Sequence, residues 1–111
     1  MSATNKLQPV PRLTFNTASL TGSYQTMAEA GFEDDIVIFQ MYNSSSNDVD
    51  VSFDGSEDHN IIPAGGLLII DIQANKEGVR AAVRKGQQVW LKGTAGAGTC
   101  YAMGWSLKRD A

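Results

Sequence analysis

At 111 residues, with 42% hydrophobic and 19% charged side chains and a formal net charge of −3, the chain suits one domain with a core of its own. The acidic balance excludes a dedicated nucleic-acid binder, because the basic residues form no stripe interleaved with aromatics. The single cysteine, Cys100, excludes an intrachain disulfide framework and a Cys-x-x-Cys metal site.

Met1–Arg12 is polar, carries Pro9 and Pro11 and lacks apolar periodicity. It reads as an extended arm over residues 1–12, held by a partner in preference to its own domain, which then spans 13–111. The opening has no apolar signal-peptide core and no 18-residue apolar run follows, so the expectation is synthesis as a soluble cytoplasmic product without a membrane span. Leu13–Phe15 and Ser23–Met27 read as strands rich in Thr, Ser and aromatics. Ala28–Asp35 is a loop whose Glu33, Asp34 and Asp35 read as a solvated turn, since three consecutive side chains do not converge on a cation.

Ile36–Asn43, IVIFQMYN, is a short, nearly continuous apolar run that predicts a central strand covered on both faces. A turn over Asn43–Asp48 leads to Val49–Phe53, where Val49, Val51 and Phe53 alternate with Asp50, Ser52 and Asp54; the two runs read as a hairpin. Asp54-Gly55 is a turn signal, and Ser56–Asn60 holds no apolar residue before Ile61 and Ile62 bring the chain back to the Pro63–Gly66 turn. Leu67–Gln73 reads as a second buried strand interrupted by Asp71, and Ala74–Lys85 as a single helical turn or an irregular crossover.

Gln88–Lys92 is a strand with Val89 and Leu91 on one face, Gly93–Thr99 a glycine-rich tip, and Cys100–Leu107 the closing strand, so that these form a second hairpin. In the closing strand Tyr101, Met103, Trp105 and Leu107 share one face. Cys100, Ala102, Gly104 and Ser106 share the other, a small-residue face that would admit a close neighbour. Seven or so short strands without a convincing helix predict an all-β fold, a single antiparallel β-sandwich or jelly-roll-like barrel with an extended N-terminal arm.

Few constellations carry chemistry. The tip GTAGAGT lacks the Gly-Lys-Ser/Thr and the following helix that a phosphate loop needs. The loop with Asp54, Glu57, Asp58 and His59 gathers carboxylates and an imidazole, yet it lacks the oxygen spacing of a calcium loop and the ligand count of a zinc site. No metal and no cofactor are expected. His59 and Cys100 are the chain's sole imidazole and thiol, with no nucleophile elbow around the cysteine, which reads as a buried strand residue. No enzymatic activity is expected. Trp90, Tyr101 and Trp105 read first as core side chains and second as stacking platforms for a carbohydrate or host surface.

The order of turns, with Ser52-Phe53-Asp54-Gly55, Asp58-His59, Ile62-Pro63-Ala64-Gly65, Asp71, Asn75 and the strand-turn-strand Val89–Tyr101, resembles small β-sandwich virion proteins of tailed bacteriophages. The resemblance covers about residues 14–105. It implies a non-enzymatic structural part of the particle: a capsid decoration or staple protein on the outside of the head that self-associates, with a dimer favoured, and clamps neighbouring major capsid subunits. A connector or tail-associated ring protein and a carbohydrate-binding module are the alternatives. Expected partner contacts are Pro9, Pro11 and Arg12 of the arm, Asp54, Glu57, Asp58 and His59 of the loop, and Lys108 and Arg109 of the tail. The arm and the Lys108-Arg109-Asp110 tail depart from the family pattern.

Overall fold

The computed structural model describes residues 4–71 and 82–110, with side chains over 7–70 and 82–106. The period-2 runs become eight strands among these residues: β1 (Thr4–Asn16), β2 (Gln25–Thr26), β3 (Ile38–Asn43), β4 (Val49–Ser52), β5 (Asn60–Ile62), β6 (Leu67–Asp71), β7 (Trp90–Gly93) and β8 (Thr99–Asp110). One sheet has the order β1-β8-β3-β6 and the other β2-β7-β4-β5. The antiparallel pairs β4:β5, β3:β6, β2:β7 and β1:β8 are nested inside one another. A long hairpin folded at the β4–β5 connection and rolled into two layers has this pairing, which is the jelly-roll form of a β-sandwich.

Alternation also defines the core. Phe39, Met41, Val49, Val51, Ile62, Leu91, Cys100 and Ala102 point between the sheets and are fully buried. Removing a side chain the size of Phe39 or Leu91 from water contributes roughly 1.5–3 kcal/mol. Phe32 and Phe53 flank Phe39 edge-on, each with ring centroids 6.0 Å away, in the arrangement that aromatic quadrupoles favour. Gly104 is required for this packing, since a Cβ there would lie 2.7 Å from Cδ1 of Ile36.

Several expectations are corrected. Residues 4–12 do not form an arm separate from the domain: they are the first part of β1 and pair with β8 from Thr4↔Asp110 onward. The prolines are accommodated because β1 is an edge strand, where a missing N–H can face solvent. The ladder also shifts register between Val10 and Leu13, so Pro11 and Arg12 stand at an irregularity. Neither predicted hairpin forms, because β3 and β4 lie in different sheets, as do β7 and β8. Their connections are corners between layers, and the two corners brace each other: Ser44 donates to Thr99 O at 2.8 Å and Asn47 to Ala95 O at 3.1 Å.

β3 is central but buried on one face only, since Tyr42 is exposed; β6 is an edge strand with Leu67 and Ile69 in solvent. In β8 the small residues Cys100, Ala102, Gly104 and Ser106 face the core, and the close neighbour at Gly104 is Ile36 of the same chain. The expected helical turn or crossover falls largely on residues 72–81, outside the described residues, and so does Asn75.

Asn43 closes the corner after β3. Its side chain is fully buried and donates to Asn47 O at 2.8 Å and Ile62 O at 3.0 Å, while its Oδ1 accepts from Ser45 N at 3.0 Å and Ser45 Oγ at 2.6 Å. Asn43→Ala would leave several of these partners unpaired in a buried place. It is expected to cost about 2–4 kcal/mol, read as a lower urea midpoint at unchanged slope. A loss under about 0.5 kcal/mol would mean that water replaces the amide.

Candidate functional site

Residues 53–59, between β4 and β5, form the tip of the rolled hairpin. Ser52 Oγ accepts from Gly55 N at 2.9 Å, and Asp54 Oδ1 accepts from Ser56 N at 2.8 Å and Glu57 N at 3.1 Å. These are the local side-chain-to-backbone bonds by which Ser and Asp close a turn. Gly55 has φ 78° and lies against the Trp90 indole, where an added Cβ would meet Cε2 at 3.0 Å, so both the conformation and the contact call for glycine. The amides of Ser56 and Glu57, together with the Ser52 hydroxyl, hold the Asp54 carboxyl down at about 2, from an ordinary 3.8.

The rest of the tip is tied to its neighbours. His59 Nδ1 accepts from Phe53 N at 2.9 Å, which leaves the proton of a neutral ring on Nε2, 3.7 Å from Asp54 Oδ2. Asp58 accepts from the Tyr24 hydroxyl and pairs with Lys92 Nζ at 3.0 Å, and that ammonium sits 4.7 Å from the centre of the Tyr24 ring. The Tyr24 hydroxyl, and after it Lys92, lower the Asp58 carboxyl; Asp58 in turn raises both Tyr24 and Lys92. Tyr24 and Lys92 are not among the contact residues expected from the sequence. Lys92 was detectable, because alternation with Val89 and Leu91 turns Trp90 and Lys92 outward together. Tyr24 left no such mark, since only the β2:β7 pairing carries it there.

The expected contact residues therefore separate. Asp54, Asp58 and His59 are joined in the tip, with the Glu57 amide. Pro9 is in register with Trp105. The guanidinium of Arg12 lies 5.2 Å from the centre of the Tyr101 ring, which stacks on Tyr42 at 6.3 Å. Pro11 and Arg12 also line an open cleft of about 420 Å³ with Phe32, Glu33 and Lys85. Lys108 and Arg109 lie on β8 opposite Lys6 and Asn5, and their side chains are outside the described residues.

Among the described residues no three acidic, histidine or cysteine side chains converge as a metal site would require. Cys100 is buried, and burial pushes its thiol up to about 12. It is in register with Asn43 on β3, whereas the tip meets β3 at Phe39, so the thiol and the imidazole belong to different ends of that strand.

The two outer faces differ in character. That of the β2-β7-β4-β5 sheet carries Asp50 and Lys92 in register with each other. That of the β1-β8-β3-β6 sheet carries Leu7, Tyr42, Leu67, Ile69 and Trp105, five of the six exposed large apolar side chains among the described residues. Core packing is thus corrected for the aromatics: Trp105 is 37% exposed, and Trp90 and Tyr101 are half-buried on outer faces.

No protein-family model, curated protein or solved structure matches this chain.

Two measurements test this geometry. Because the Asp54 carboxyl is lower folded than unfolded, its contribution to stability is complete above about pH 4 and is lost as pH falls toward 2. Asp54→Asn is expected to flatten the decline of stability between pH 4 and 2, and in wild type the Asp54 carboxyl carbon should titrate near 2 by NMR. A titration near 3.8 would show that the tip amides do not bind it. The Cys100 thiol is expected to resist a disulfide reagent at pH 8 and to react on denaturation. Rapid labelling of the native protein would mean that β8 opens.

Proposed function

We propose that the chain is a non-enzymatic structural protein of a bacteriophage particle, a decoration or staple protein that clamps neighbouring major capsid subunits on the outside of the head. The observation that carries this reading is the tip. Three of its titratable groups are used as internal braces, with Asp54 on backbone amides, His59 on Phe53 N and Asp58 on Tyr24 and Lys92. A loop built this way offers a stiff polar shape to a partner at low ordering cost. The jelly roll supports the reading only as analogy, because viral capsid domains and lectins share it.

A connector or tail-ring protein would use the same tip at a unique vertex. A carbohydrate-binding module is favoured by a different observation, the outward Trp105 and the Tyr42–Tyr101 stack. In the proposed role the protein is made in the host cytoplasm and resides on the capsid exterior. No direct contact with nucleic acid or membrane forms part of it.

Quantitative mass spectrometry of purified particles is expected to find the chain in hundreds of copies. About a dozen copies would select the connector role, and a gene outside any phage or prophage locus would overturn the virion reading. Truncating residues 1–12 is unsuitable as a test, because it removes most of a paired strand. Lys92→Glu instead places a like charge beside Asp58. It is expected to weaken binding to empty heads by about tenfold or more, with the far-UV spectrum retained. Unchanged binding would remove the tip from the contact.

A further inference from the structure

Among the described residues no layer lies over the outer face of the β1-β8-β3-β6 sheet, and most of its large side chains are apolar. Register places its side chains in rows across the strands. Leu67, Tyr42, Tyr101 and Thr14 form one row, Ile69, Gln40 and Met103 the next, and Asp71, Ile38, Trp105 and Pro9 a third, with the Asp71 side chain outside the described residues. Among its described side chains there is one charge, Arg12, and it lies over Tyr101. An apolar face of this extent on a folded domain marks an interaction surface.

We propose that this face is a homodimer interface, on which a second copy of the chain packs sheet to sheet about a two-fold axis. Three observations select a second copy. The first is charge. A chain of net charge −3 repels its own copies wherever carboxylates meet, and the carboxylate position that register places on this face is Asp71 on the edge strand β6, so two copies can join over the rest of it without burying like charges.

The second is area. Four strands about 4.8 Å apart and about five residues deep cover on the order of 300 Å². The ribbon of β1 and β8 adds on the order of 200 Å², so two copies together bury about 1,000 Å², the lower bound of a specific interface.

The third is that ribbon. β3 pairs with β8 no further than Trp105, whereas β1 and β8 continue together to Thr4 and Asp110. The molecule is accordingly 53 Å long against 24 and 20 Å in its other directions. Two strands alone are marginal in water, and lying across the sheet of a partner gives them a covered face. A two-fold axis makes this exchange mutual and closes the assembly at two. The proposal stands whether or not the chain is a virion part; if it is, the dimer is the bivalent clip, with two tips for two coat subunits.

Sedimentation velocity on the whole chain is the test. Wild type is expected to be a dimer with a dissociation constant of about 10 μM or tighter. Ile69→Lys is expected to weaken association by about 100-fold or more; lysine makes the chain less negative, so added repulsion between the net charges of two molecules does not explain the loss. Ile61→Lys, at the exposed apolar residue on the other sheet, should remain a dimer. A wild-type monomer at about 100 μM, or a folded Ile69→Lys variant that still dimerises, overturns the proposal. Should that variant fail to fold, radical footprinting of wild type decides: Tyr42 and Trp105 should be protected when concentrated and labelled on dilution, and concentration-independent labelling overturns it. Neither result bears on how many copies a phage particle holds.

Discussion

The fold depends on where the chain turns back on itself. Ser52 and Asp54 capture the amides of residues 55–57, and the turn they close sets β4 against β5 in the register Val49↔Ile62. Every outer pair is nested around that one. A slip of one residue would exchange Val49 and Val51 for Asp50 in the core, so the hydrophobic pattern and the polar turn enforce the same register. Trp90 under Gly55 and Phe53 against Phe39 tie the turn to both sheets. The tip is therefore a structural hinge point as well as a surface.

The two layers share one core but not one kind of exterior. On the sheet that carries the tip, opposite charges stand in register across strands, and Asp54, Asp58 and His59 of the loop are held within the tip or by Tyr24 and Lys92. The opposite exterior is mostly apolar across its four strands, interrupted by Gln40, Thr14 and Arg12. This division underlies the two contacts proposed, one using the polar tip and the other the largely apolar face on the other side. The buried thiol and the exposed imidazole meet different parts of the same strand.

Much of the fold was legible in the sequence because alternation is local. Val49–Phe53, Gln88–Lys92 and Cys100–Leu107 each declare a strand and its two faces. Pairing was not legible in the same way. The short polar stretches Asn43–Asp48 and Gly93–Thr99 suit a hairpin turn and a corner between layers equally well, and only the mutual bracing of the two corners selects the latter. The inward face of β8 was misread for a physical reason: its residues are small because Ile36 fills the space above Gly104, so a tightly packed core resembles an open docking face. For the site, the residues of the tip were legible as a polar loop, while Tyr24 reaches it only through a pairing of distant segments.

The nested pairing also favours an order of events in time. Thr4 and Asp110 are register partners, whereas the strands flanking the tip are joined by a connection of a few residues. Closing a short loop is cheap and closing a long one is slow, so structure is favoured to spread outward from residues 49–62. β1 leaves the ribosome first and has no partner until β8 has been made. Its apolar inner positions, Val10, Leu13 and Phe15, are left uncovered for that whole interval, the period in which such a chain is most open to chaperones and to wrong partners. The strand made first is the last to be placed.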